Sequence, residues 1–169
     1  MAETKVTIKQ LSKLTKSIKR DLTKELKAAK RKWNKPAIKQ ATQLIDDTIR
    51  KGISPVKGGG AQTGRKPRFV KYSELYRKQI RRKVFPGKKL RPVNLELTGK
   101  MRKSLKGRAT KDGILLFYTD PKADYHTNQG VGKSKVIRRM LPGEGTNEVL
   151  SRTITRPLVD LFVKILRKV

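Results

Sequence analysis

The residues whose types and spacing could do chemistry lie mainly between Asp120 and Ser134. Gly130-Val131-Gly132-Lys133-Ser134 has the ending of a P-loop, in which backbone N–H groups wrap phosphates and the lysine reaches the terminal ones. A P-loop also needs a glycine five residues before its Gly-Lys pair, and that position is Thr127. It must follow a buried strand and open a helix aimed at the phosphate. Here a polar stretch, DPKADYHTNQ, precedes the run and Pro142 follows it closely. Asp160, the candidate acid after a downstream apolar run, falls on a predicted helix rather than at a strand end. Nucleotide hydrolysis is therefore rejected, and the run is expected to form a turn whose lysine is solvated or faces another subunit.

Other constellations are weaker. His126, the sole histidine, has Asp120 and Asp124 nearby, the usual ingredients of a metal or acid–base site. Neighbours in a loop do not converge by spacing alone, so a structural histidine bonded to a backbone group is expected instead. A divalent-metal nuclease needs two or three acids and a lysine. Glu96 and Lys100 in LELTGK are the only suggestion of one. No nucleophile elbow accompanies any serine, and the chain has no cysteine for a nucleophile, disulfide or thiolate metal site. The expectation is a protein that is not an enzyme and needs neither metal nor cofactor.

Charge is the dominant compositional fact. In 169 residues, 44 lysines and arginines face 13 acids, a formal net charge of +31. Such an excess repels itself in a compact chain, so an acidic neighbour or polyanion is expected in the working assembly. Between Lys57 and Arg91 a single acid, Glu74, stands among the basic residues. Lys57, Arg65, Lys66, Arg68, Lys71, Arg77, Lys78, Arg81, Arg82 and Lys83 are the candidate contacts to a polyanion or DNA channel. Aromatic residues are few and do not alternate with these cations as RNA-stacking modules require, so contact with phosphates is favoured over base reading. No apolar run reaches the roughly 20 residues of a membrane span. MAETKVTIKQ lacks the apolar core of a secretory signal, and a chain made and used in a cytoplasm is expected.

The elements that must position these residues follow from periodicity. Ile8, Leu11, Leu14, Ile18, Leu22, Leu26, Ala29 and Trp33 recur at three- and four-residue spacings, the stripe of an amphipathic helix. Pro36 is expected to kink or break it; Ala37, Ala41, Leu44, Ile45 and Ile49 continue the period, and Gly52 marks its stop. Unbroken, such a helix measures about 65 Å, longer than a small domain is wide, and so invites a partner. SPVKGGGAQTGRKPRF reads as a mobile cationic arm. A short helix is expected from about Ser73, and strands at RPVNLEL and GILLFYTD. Thr146 is expected to cap a closing helix, with Pro157 kinking or restarting it. The fold class is α+β: a long N-terminal amphipathic helix, a small antiparallel sheet, and a C-terminal helix packed on that sheet. One domain, 1–169, is expected, comprising a helical region 8–51, a basic arm 53–71, an α/β core 72–145 and a closing helix 146–168.

Two stretches, PVNLELTGKMRKSLKG and ADYHTNQGVGKSKVIRRMLPGEG, with the helical tail behind them, resemble the neck or tail-completion proteins of tailed bacteriophages, similar to the Z-type minor tail proteins. The resemblance is carried by Thr98, Gly99, Met101 and Ser104, then Tyr125, His126 and Gly130, then Arg138, Arg139 and Pro142. It covers the C-terminal half well; the N-terminal helix matches only in type, and the glycine-rich arm exceeds the family pattern. It implies a non-enzymatic virion subunit forming a ring of six or twelve copies around the DNA channel. Its neighbours would be head-side connector or portal proteins and the tail terminator or tail tube, with assembly in the host cytoplasm, non-specific duplex contact and no membrane. Composition alone also admits a ribosomal or other nucleic-acid-packing protein.

Overall fold

The computed structural model describes residues 8–57, 68–86, 88–93, 95, 99–131, 135–143 and 147–169. Its elements are α1 (Ile8–Arg50), α2 (Glu74–Arg81), α3 (Lys100–Lys103), β1 (Leu105–Ala109), β2 (Ile114–Tyr118), α4 (Lys122–Asp124), a π-helical turn (Tyr125–Gln129) and α5 (Arg152–Leu166).

The long helix forms as its stripe requires, and it runs through Pro36 without a break. Proline removes one N–H, so the Lys32 carbonyl loses its intrahelical partner. Packing on both sides of that position outweighs the loss: Ala29, Ala37, Ala41, Ile45 and Ile49 are all buried. The helix stops where expected. Gly52 N–H donates to Ile49 O at 2.9 Å and Ile53 N–H to Thr48 O at 3.1 Å, the bond pair of a Schellman cap. Gly52 sits at φ +73°, and a Cβ there would lie 2.9 Å from Pro92 Cβ, so conformation and space both demand glycine.

The sheet is a two-stranded antiparallel hairpin with Leu105 opposite Tyr118 and Ala109 opposite Ile114. β2 lies within GILLFYTD as predicted. The described residues of RPVNLEL are not its partner: Arg91 and Pro92 form bends, Val93 has no regular structure, and Leu95 has φ +53°. The partner is Leu105–Ala109, in the register that the four-residue turn Thr110–Gly113 allows; Thr110 N–H donates to Gly113 O at 2.8 Å. The hairpin packs on α1 so closely that a Cβ on Gly107 would come within 2.7 Å of Ile38 Cγ2.

α5 takes α1 as its main partner rather than the sheet. Trp33 Nε1 donates to Leu158 O at 3.3 Å, and its ring meets Phe162 edge-on at 5.8 Å. Ile38, which touches the hairpin, follows Trp33 by five residues and so lies about 140° further round α1. α1 thus carries α5 on one flank and the hairpin on another. Met140, Phe69, Val93, Met101 and Ile154 complete a core cluster around it.

The closing helix starts at Arg152, not near 146; Thr146 itself lies outside the described residues. The segment before Arg152 is extended because it pairs with the chain leaving α1. Val56 bridges Leu150, Lys57 N–H donates to Val149 O at 3.0 Å, and Ser151 N–H donates to Pro55 O at 2.6 Å. Pro157 lies inside α5, which continues past it.

The apolar stripe of α1 does not end where α5 does. Ile18, Leu22 and Leu26 lie on the face that bears Trp33, yet they are 58, 54 and 41 % exposed. α5 has 15 residues against 43 in α1, so about 22 Å of helix covers part of about 65 Å.

Candidate polyanion-binding surface

α2 begins where the sequence predicts. Ser73 Oγ accepts from Tyr76 N at 3.4 Å, Glu74 lies in the positive first turn, and Lys78 and Arg81 lie in the negative last turn. Ile80 is its buried anchor. Beneath the helix an aromatic chain forms, Tyr72 to Tyr76 at 5.1 Å and Tyr76 to Phe85 at 5.2 Å between ring centroids. Burial raises the Tyr76 phenol pKa above its ordinary value. All three rings are half-buried, and Tyr72 packs against the core cluster.

Between the 71–72 segment, α2 and the following loop runs a groove of about 340 Å³ lined by Lys71, Tyr72, Arg77, Arg81, Leu90 and Arg91. Three of the predicted contacts, Lys71, Arg77 and Arg81, meet there. Arg77 is half-buried and is held by Glu74 at 2.9 Å. Lys78, Arg82 and Lys83 are exposed on the same segment but outside the groove. Arg68 is exposed and bridges Ile53, and Lys57 is exposed at the crossing with 149–151, so neither joins the groove. Arg65 and Lys66 lie outside the described residues. Arg91, Tyr72 and Leu90 were missed, because nothing local in KKLRP shows that it turns to face α2.

Behind the groove stands Arg138, only 4 % exposed. Its Nε and Nη2 donate to Val70 O at 3.3 and 3.2 Å, and Nη2 donates to Lys71 O at 3.2 Å. Its guanidinium also lies 5.8 Å from the Tyr72 centroid, with Lys88 Nζ at 5.2 Å from the same ring. Among the described residues no carboxylate pairs with Arg138. Burial lowers its pKa from the usual arginine value.

The residues of the resemblance are mostly inward-acting. Gly99 precedes α3 in a left-handed conformation, Met101 is buried, and Thr98 lies outside the described residues. Ser104 closes the hairpin base: its Oγ donates to Met101 O at 2.6 Å and accepts from Asp120 N at 3.1 Å. Arg139 ties the π-helical turn to the tail segment by donating to Thr127 O and pairing with Glu148 at 2.8 Å. Its own carbonyl accepts from Ser54 Oγ at 2.6 Å. Tyr125 is half exposed, and Pro142 is half-buried beside Leu141.

His126 departs from expectation. Its carbonyl makes a backbone bond, accepting from Arg138 N at 2.7 Å, while the buried Nδ1 has no hydrogen-bond partner among the described residues. Burial first, then Arg138 and Lys88, push its pKa down to about 4. Asp124 instead accepts from Asn128 and Gln129, and Asp120 accepts from Lys122 N at 3.0 Å. Among the described residues no three of His, Asp and Glu gather into a metal-binding group. Glu96 lies outside the described residues.

The Gly-Lys-Ser run is closed at its base. Val131 and Val136 exchange two backbone hydrogen bonds at 3.0 and 3.1 Å, and the chain then runs on without helix to 143. A P-loop would open a helix there. Residues 132–134 are outside those described. Gly130, at φ +83°, admits the turn: a Cβ would sit 2.4 Å from Lys135 O. Among the described residues no helix is long and apolar enough to cross a membrane.

The fold is α+β, organised on one long helix, and its most distinctive surface is an exposed cationic groove. No protein-family model, curated protein or solved structure matches the chain.

Proposed function

We propose that this chain is a structural subunit that assembles with copies of itself around a nucleic-acid conduit, as in the neck or tail-completion ring of a tailed-phage virion. The observation that carries the reading is the apolar stripe of α1. Ile18, Leu22 and Leu26 continue the face that α5 covers and are left to solvent, an arrangement that a partner surface completes. The exposed cations of 71–91 then face the conduit, holding duplex DNA through its phosphates without reading bases, so that it can still slide. Copies arranged in a closed ring, six or twelve in number, would stand between portal-side connectors and the tail. No catalytic step, metal or cofactor enters this role.

Native mass spectrometry and sedimentation of the purified chain, with and without a duplex, test the reading. A cyclic oligomer that dissociates when Leu22 is replaced by glutamate is the expected result. A chain that remains monomeric at high micromolar concentration, alone and on DNA, overturns it. The reading as a nucleic-acid-packing protein draws on the same exposed cations but leaves the stripe without a purpose; it predicts a stable monomer on structured RNA.

A further inference from the structure

We propose that the groove lined by Lys71, Tyr72, Arg77, Arg81, Leu90 and Arg91 is a seat for two consecutive phosphodiester groups of one nucleic-acid strand, with the buried Arg138 behind it as a positioning cation. This deepens the conduit reading and rests on it. Its volume, about 340 Å³, is at the small end of ligand sites; it suits a short length of one strand and not a whole duplex. Four cations line it, and Glu74 anchors Arg77 at 2.9 Å, holding that guanidinium in place. Three of the four are arginines, whose planar forks match phosphate oxygens two at a time. Tyr72 and Leu90 supply an apolar wall for the sugar between two phosphates.

Arg138 is the independent sign. A buried charge is tolerated when a counter-charge accompanies it; among the described residues this one is answered by backbone carbonyls and the face of Tyr72, and by no carboxylate. The carbonyls belong to Val70 and Lys71, so the guanidinium is tied directly to the backbone of the groove wall. An anion seated outside supplies an opposite charge across protein of low dielectric, where attraction is stronger than in water. Lys88, beside the same ring, adds to that potential. The seat is therefore more than a density of lysines.

Two double variants with equal charge loss separate a seat from a diffuse patch. Arg81→Ala/Arg91→Ala removes two groove walls; Lys78→Ala/Arg82→Ala removes two exposed cations outside it. With a labelled duplex titrated across salt concentrations, the groove variant is expected to lower the log–log salt slope by about 1.8, the value for two phosphate contacts. It should weaken binding about tenfold more than the control variant. Arg138→Gln, which keeps donors for the carbonyls, should also weaken binding, and Arg138→Lys should restore most of the loss. Equal losses from the two doubles, with wild-type binding intact, overturn the seat and leave the conduit reading standing. Absence of any salt-dependent duplex binding by wild type overturns both. If inorganic phosphate saturates the groove while the groove variant binds duplex normally, the ligand is a small phosphate and the assignment to a strand falls.

Discussion

The carboxylate of Asp46, on the long helix, holds the buried guanidinium of Arg102 on α3, and its second oxygen holds Arg50 at 3.0 Å. One acid thus pins the helix to the segment that opens the hairpin. Beside it, burial and then Asp46 raise the pKa of the Tyr118 phenol well above its ordinary value, with Arg102 opposing.

Asp46→Ala removes the carboxylate that ties the buried Arg102 guanidinium to the long helix. A loss of about 3 kcal/mol is expected, at the low end for a broken buried pair because Asp46 itself is 26 % exposed. Asp21→Ala, which removes the exposed Arg20–Asp21 contact, should cost under about 0.5 kcal/mol. Urea denaturation of the two variants checks the contrast; equal losses contradict it.

His126 makes stability depend on pH. Its folded-state pKa of about 4 lies below the unfolded 6.5, so between these values the unfolded chain binds the extra proton. Its contribution is complete above about pH 6.5 and is lost as pH falls toward 4, by up to about 3 kcal/mol. Denaturation midpoints over pH 4–7 should fall more steeply with falling pH in wild type than in His126→Gln.

Trp33→Ala removes the contact with Phe162 and the bond to Leu158 O, and should cost about 3–5 kcal/mol, loosening α5. Leu22→Ala, on the exposed part of the same face, should leave monomer stability within about 0.5 kcal/mol while weakening self-association. Thermal melts paired with sedimentation separate the two effects.

Gly107→Ala drives a methyl into Ile38 Cγ2, and an overpacking cost of about 1–3 kcal/mol is expected. Ile38→Ala vacates that space, so the double variant should be more stable than the sum of the single losses implies. A double-mutant cycle measures the coupling, and strict additivity would show that hairpin and helix do not meet there.

The sequence by itself determined what is local. The heptad-like spacing from Ile8 to Ile49, Gly52 as its stop, Ser73 as the cap of α2 and the missing P-loop glycine at 127 are all fixed by neighbours within a turn or two. The tertiary structure decided what depends on residues far apart. Whether Pro36 and Pro157 break their helices turned on packing that outweighs one lost hydrogen bond. β1 lay hidden because LKGRA has a central glycine and no β-branched or aromatic residue, and its pairing with β2 depends on the turn between them. The start of α5 moved because 149–151 found backbone partners at 55–57. The groove was half legible: the charges of Lys71, Arg77 and Arg81 stand in the sequence. Only the folded chain turns Arg91 and Leu90 toward α2 and buries Arg138 behind them, since convergence of distant charges is a property of packing and not of spacing.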